Sequence, residues 1–441
     1  MGFESIDEVV VDREVSTVYE HGWQSWSPTS TYRVGDTSAR PEHRWQQVMR
    51  FRSDLPPPAS GFQGEGLLVV DPGQGPVRMY AARPSREEVV SIRARLYDDR
   101  LVVRGNGPVD VTVVAEGLGA ALTGYGDRLR ARAAQVPVRP APTVWCTWYQ
   151  YFLDVTQQDV SENVRALDEL DLPVDVVQVD DGWQAEVGDW SELSDRFSCL
   201  VSMVDQIRGS GRRAGIWLAP FIAAEHSALA RRHPDWLAGE AGRNWGQRLF
   251  GLDLSHPGVR EHLSAVFRSL RDIGFDYFKL DFLYGGALTA VRHEDLSPVA
   301  AYRSGLLLVR DAVGAQSYLL GCGAPMLPSV GLVDAMRVSP DTYDPTDPDT
   351  GSDPLRGRAC IEARAWQHGR LWVNDADCLI ARPGFARRRA WAELVERYGG
   401  LRSSSDRIRG LDDWGLETTR RLLADAPPPV PFAHLPDEYS R

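Results

Sequence analysis

Two patterns of apolar and polar positions divide the chain. From the N-terminus to about residue 136, short β-branched or alternating runs recur between closely spaced Gly and Pro, among them Val9-Val10-Val11, Leu67-Leu68-Val69-Val70 and Val111-Thr112-Val113-Val114. Runs of this length without a sustained helical period predict an antiparallel β-sandwich over residues 1–136. Pro137, Pro140 and Pro142 follow, and their fixed φ and missing N–H predict a stiff connector at the domain boundary.

Beyond the connector, apolar strand-length runs alternate with helix-period segments. Strands are predicted at residues 143–148, 176–180, 214–219, 277–281, 318–322, 335–339 and 371–375, with an eighth near 400–403. Helices are predicted between them, for example over 156–170 behind a Thr cap and over 257–271 with Pro in the first turn. Eight such repeats predict an α/β catalytic domain over residues 137–408, a (β/α)8 TIM barrel. A doubly wound sheet would want a Gly-rich loop after its first strand, where this chain has Trp148-Tyr149-Gln150-Tyr151. Residues 409–441 are read as a short C-terminal extension, extended where Pro427-Pro428-Pro429 falls.

Composition narrows the function. No apolar run approaches the ~20 residues of a spanning helix, and the first residues lack a basic segment followed by an apolar one, so a cytoplasmic protein is expected. The five cysteines are an odd number without a CxxC, and the nine histidines form no HExxH, which predicts reduced thiols, no metal and no cofactor. A formal charge of −12 disfavours nucleic acid. It leaves a small, uncharged ligand as the expected partner, with assembly into a homo-oligomer left open.

Catalytic groups of a barrel sit at the C-terminal ends of its strands. Those ends here carry Trp148 and Tyr149, Asp180-Asp181-Gly182-Trp183, Lys279 and Asp281, Cys322-Gly323, Arg337 and Asp341, and Asn374-Asp375 with Asp377. Lys279 is the single lysine among 49 Lys and Arg residues. An ammonium retained in a chain that otherwise uses guanidinium points to a site needing a compact charge. Two residues apart on a strand, Lys279 and Asp281 are expected on one face, the lysine keeping the carboxylate ionised. Carboxylates and indoles at several strand ends suit a sugar, through hydroxyl hydrogen bonds and a flat apolar platform. Glycoside hydrolysis needs two carboxyl groups, for which Asp281 and Asp341 are the candidates; as the acid, Asp341 would need a raised pKa.

Together, Trp148-Tyr149, Asp180-Asp181-Gly182-Trp183, Lys279-Leu280-Asp281-Phe282, Gly321-Cys322-Gly323-Ala324-Pro325 and Met336-Arg337-Val338-Ser339-Pro340-Asp341 resemble the retaining α-galactosidases of the melibiase type. The resemblance covers residues 137–405 and implies Asp281 as nucleophile and Asp341 as acid/base. It further implies that Asp180 and Asp181 hold O4 and O6 of galactose and that Lys279 reaches ring hydroxyls. Trp148, Tyr149 and Trp217 would wall the pocket, Cys322 and Gly323 would lie near the 2-substituent, and Arg337 would orient Asp341 or a hydroxyl. His21-Gly22-Trp23-Gln24-Ser25-Trp26 resembles the segment by which the β-domain lends a tryptophan, Trp23 or Trp26, with Trp26 carried forward.

Leu283 stands where larger relatives have Asn, as in the short thermophile-type members, and the usual C-terminal β-domain is missing from the pattern. The implied substrates are melibiose- or raffinose-type galactosides. An α-N-acetylgalactosaminidase and a raffinose-synthase-like transglycosidase share the mechanism, and a non-catalytic sugar-binding protein or a Schiff-base aldolase using Lys279 are the readings outside it. The stretch 344–351 is expected to be a solvated loop, since its spacing is not that of an EF-hand.

Overall fold

The computed structural model describes residues 2–132, 138–343 and 357–436. The boundary expected near residue 136 and the stretch 344–351 lie outside these residues.

The N-terminal part holds two antiparallel sheets. One runs Glu4–Val10, Arg100–Gly105, Ser91–Tyr97, Phe62–Glu65; the other Ser30–Arg33, Thr17–Glu20, Leu67–Asp71, Val77–Ala82, Val109–Val114. Period-two alternation in the central strands explains the packing. Leu68, Val70 and Tyr80 join Phe62, Ile92, Leu101 and Val103 between the sheets, while Leu67, Val69 and Met79 face the larger core shared with the C-terminal part. This five-stranded sheet therefore has both faces covered. Part of the second face is covered by a helix the strand reading did not anticipate, Leu118–Arg132, which buries Leu118, Ala121, Leu122 and Tyr125. The helix Arg44–Arg50 is likewise unanticipated.

Eight parallel strands follow: β1 (Val144–Cys146), β2 (Val176–Val179), β3 (Arg213–Leu218), β4 (Phe275–Leu280), β5 (Tyr318–Gly321), β6 (Ala335–Arg337), β7 (Val373–Asp375) and β8 (Ser403–Ser404). They pair in the order β7-β6-β5-β4-β3-β2-β1-β8. The two ends of the sheet also meet through parallel bridges, Asp375 to Leu401 and Leu379 to Ser404. Strands β1 and β2 are buried at every position, as parallel strands covered on both faces must be. Val144, Val176, Tyr277, Tyr318, Leu320, Ala335, Val373 and Leu401 pack together as one core cluster of this sheet, with Tyr277 stacked on Tyr318.

The expected helices form where the capping signals fall. Thr156 accepts from the Asp159 N–H, with the Asp159 side chain reaching back, and starts Gln157–Glu169. Pro257–Ile273 begins with Pro at a first-turn position and ends at Gly274, whose φ of 118° only glycine adopts cheaply. After β8 comes a helix, Asp413–Ala424, capped by Asp412. Among the described residues, no helix is long and apolar enough to cross a membrane.

Between β3 and β4 the chain leaves the alternation for a three-stranded antiparallel sheet, Ile222–Ala224, Gln247–Leu252 and Leu237–Asn244. Its hairpin tip places Trp245 and Gly246 at φ of 49° and 72°. Positive φ at both central residues is the geometry of a type I′ turn, and the tryptophan takes it at a cost of ~1 kcal/mol or more. The tip lies over the open end of the parallel sheet.

Candidate active site

A cavity of about 510 Å³ opens at the C-terminal ends of the strands. Asp180 and Asp181 after β2, Trp217 on β3, Lys279 on β4 and Asp281 after it, Asp341 beyond β6 and Trp148 after β1 all line it. Trp26 from the N-terminal part and Trp245 from the hairpin close its sides.

Lys279 and Asp281 do share the cavity, but they do not pair as expected. The Lys279 ammonium donates to Asp180 Oδ2 at 2.9 Å, and Gln178 donates to the same oxygen at 2.6 Å. Asp281 lies one residue past the strand, accepting from Trp217 Nε1 at 3.1 Å and from the Phe282 N–H at 2.8 Å. The next residue, Phe282, is left-handed at φ 50°, and the Asp281 charge still adds to the field that acts on Lys279. Burial alone would push Lys279 down; Asp180, with Cys146 and Asp281 adding to it, more than offsets burial and the nearby Arg337, and the ammonium is held charged well above its usual range.

Six carboxyl groups, Asp180, Asp181, Asp281, Asp341, Asp375 and Asp377, gather around two cations, Lys279 and Arg337. Not all can be ionised together at modest cost. Asp181 is pushed up to about 7, first by burial, although Gln184 Nε2 at 2.6 Å and Trp245 Nε1 at 3.0 Å donate to it. Asp341 is pushed up to about 6 by desolvation and by the Asp377 charge, with Arg337 and Lys279 opposing. Its side chain is 44 % exposed toward the opening, so water tempers the desolvation and the neighbouring carboxylates sustain the upward direction.

Arg337 is buried and reaches Asp341 at 3.1 Å, Asp375 at 3.0 Å and Asp377 at 2.8 Å. Burial disfavours its charge, but Asp377 and Asp375 outweigh this and raise it. Asp377, held at φ 87°, accepts from the Thr342 N–H at 2.9 Å and from the Tyr149 hydroxyl. The Asp341 loop is thus tied down from the residue after it.

Four residues of the expected site are not among those that line the cavity, although Arg337 does reach Asp341, one of the two roles expected of it. Tyr149 is buried and spends its hydroxyl on Asp377; Arg337 is enclosed by its three aspartates; Cys322 is fully buried, its N–H bonded to Leu280 O. Gly323, at φ 53°, is where the N-terminal loop presses in: a Cβ there would meet Trp26 and the Phe282 nitrogen at about 3.0 Å. Between the two tryptophans of the N-terminal motif, Trp26 lines the cavity and Trp23 is buried. The Trp26 ring meets Phe282 and Tyr284 edge-on, with centroids at 5.0 and 5.9 Å. Sequence reasoning missed Trp245, whose signal was Asn244-Trp245-Gly246, a turn sequence inside a polar hairpin.

A parallel α/β sheet with aromatic walls and clustered carboxyls at its strand ends is an arrangement suited to a sugar. The melibiase family model matches residues 106–299. A bifunctional α-galactosidase/sucrose kinase of Mediterraneibacter gnavus is 29% identical over 183 residues, 38% of this chain but only 19% of that protein; α-galactosidase AgaA of Geobacillus stearothermophilus is 25% identical over 179 residues, 24% of its length. The solved α-galactosidase of Thermus thermophilus in complex with stachyose superposes with a TM-score of 0.77 at 28% identity, covering 96% of this chain and 95% of that one. These likenesses support an α-galactosidase of the melibiase type, glycoside hydrolase family 36. It spans less than a quarter of the curated relatives it matches.

Proposed function

We propose that the chain is a retaining exo-α-galactosidase that releases terminal α-galactose from small oligosaccharides by double displacement. The observation that carries the reading is the division of labour between two carboxyls of one cavity. Asp281 is held by two N–H donors, as suits an ionised nucleophile, and Asp341 is raised to about 6, as suits an acid. Asp281 attacks C1 while Asp341 gives its proton to the departing oxygen. Asp341 then takes a proton from water, which attacks C1 and frees Asp281. Lys279 with Asp180, and Asp181 with Trp245, present polar groups to the ring hydroxyls. The stachyose-bound relative supports raffinose-type substrates.

The scaffold of this reading is a closed (β/α)8 barrel, supported by the bridges between β7 and β8. Asp413–Ala424 then serves as its eighth helix, burying Leu422 and Leu423, which moves the end of the catalytic unit past residue 408. Residues 1–136 form the accessory domain that lends Trp26.

The decisive test is the anomer first formed from p-nitrophenyl α-galactoside, followed by NMR. α-Galactose is expected, and initial β-galactose would rule out the double displacement. The acid predicts a pH effect: because the Asp341 pKa is raised, its proton persists to about pH 6, and kcat/KM for a galactoside with a sugar aglycone is expected to decline above that. In Asp341→Ala this alkaline decline should vanish and turnover should fall about 10²-fold or more. Trp245→Phe withdraws the indole N–H from Asp181; we expect KM to rise about tenfold, the weight of one charge-assisted hydrogen bond, with kcat little changed.

A further inference from the structure

The guanidinium of Arg364 is fully buried and, among the described residues, forms no ion pair with a carboxylate; the ionisable groups around it are Cys360, Tyr19 and His21. Its bonds are all to uncharged acceptors. Nη1 donates to Ser25 O at 2.6 Å and Val338 O at 2.8 Å; Nη2 donates to Gln24 O at 2.9 Å, Ser27 O at 3.0 Å and Thr29 Oγ1 at 2.7 Å. Four of the five acceptors lie in residues 24–29, the loop that carries Trp26. The fifth, Val338, follows Arg337 and precedes Asp341 by three residues. Asn374, on β7 and paired with Met336 of β6, donates to Arg364 O at 3.0 Å, anchoring the clamp to the sheet.

Burying an unpaired cation is expensive, and a neutral side chain could fill the space without that cost. What it could not supply is a planar fork with donors aimed at several carbonyls of one irregular loop. The Trp26 ring needs such an external hold. Its Nε1 has no hydrogen-bond partner, so its position is set by ring packing against Phe282 and Tyr284 and by where the backbone is gripped.

We propose that Arg364 is a positioning residue, which gathers the 24–29 loop against the end of β6 and so holds Trp26 as a wall of the sugar pocket. The kinetic consequence rests on the α-galactosidase reading; the positional one does not. The test uses full-length protein labelled with 5-fluorotryptophan, the Trp26 fluorine signal being assigned by its loss in Trp26→Leu. Arg364→Lys keeps the charge but not the fork, and Thr29→Val removes one acceptor. Both are expected to shift the Trp26 signal while leaving that of Trp414, on the outer helix, in place.

With p-nitrophenyl α-galactoside, KM in Arg364→Lys should rise about tenfold with kcat within about twofold, since residues acting through one contact are not additive. For the same reason the double variant with Trp26→Leu should bind no worse than Trp26→Leu alone. A wild-type protein that hydrolyses no α-galactoside would sink the proposed activity, yet the fluorine shifts would still decide the clamp. If Arg364→Lys does not fold, Thr29→Val decides it alone. An unmoved Trp26 signal in the folded variants overturns the proposal.

Discussion

Asp281→Gly is expected to lose about 10⁴-fold in kcat on p-nitrophenyl α-galactoside, the equivalent of ~5.5 kcal/mol, and to regain turnover in azide. The carboxylate lines the cavity and is the group at the end of β4 that two donors hold in place. Glycine removes it without adding bulk and leaves space on the face from which it would attack C1. A small external anion can enter that space, and its product should be β-galactosyl azide, the inverted configuration, because only one displacement then occurs. Trp217 Nε1 loses its acceptor, so a modest drop in melting temperature is expected alongside. Wild-type turnover in the folded variant would remove Asp281 from the mechanism.

Much of the scaffold was legible because parallel strands buried on both faces write themselves as unbroken apolar runs. All eight predicted runs overlap a strand, the eighth, 400–403, only at Ser403 of β8. The helix Leu118–Arg132 was missed although Leu118, Ala121, Leu122 and Tyr125 repeat at helical spacing. Gly117, Gly119, Gly124 and Gly126 interrupt it and read as turn punctuation. The excursion that delivers Trp245 was missed for a different reason. It interrupts the β/α alternation, and its strands include exposed polar positions that carry little periodic signal. Depth was the hardest quantity. Strand-end position predicted that Tyr149, Cys322, Gly323 and Arg337 would be near the site, but only the packing shows that they brace it from behind. The same holds for Lys279: period two put it on the face of Asp281 and both line one cavity, but the acceptor of its ammonium, Asp180, comes from the end of β2, which no periodicity within β4 could reveal.

That altered pairing sharpens what Lys279→Arg should do. We expect kcat/KM to fall about 10³-fold, or ~4 kcal/mol. The ammonium is buried, bonded to Asp180 at 2.9 Å, and Asp180 already takes Gln178 at 2.6 Å and the Cys146 thiol at 3.4 Å. Beneath it lies only a minute void bordered by Cys146, Gln178, Tyr277 and Arg337, too small for a guanidinium, which is broader and needs its donors satisfied in a plane. The longer side chain must therefore push toward the sugar or displace Asp180, and both spoil the hydroxyl contacts. Charge is conserved, so an electrostatic role alone would predict little change. A 10³-fold loss in a protein whose melting temperature falls by only a few degrees would assign the effect to shape. The held charge also argues against amine chemistry, because an ammonium bonded to Asp180 at 2.9 Å has no lone pair to attack a carbonyl. Borohydride with a carbonyl sugar should leave the protein mass unchanged, and near-normal turnover in Lys279→Arg would return the chain's single lysine to an accident of composition.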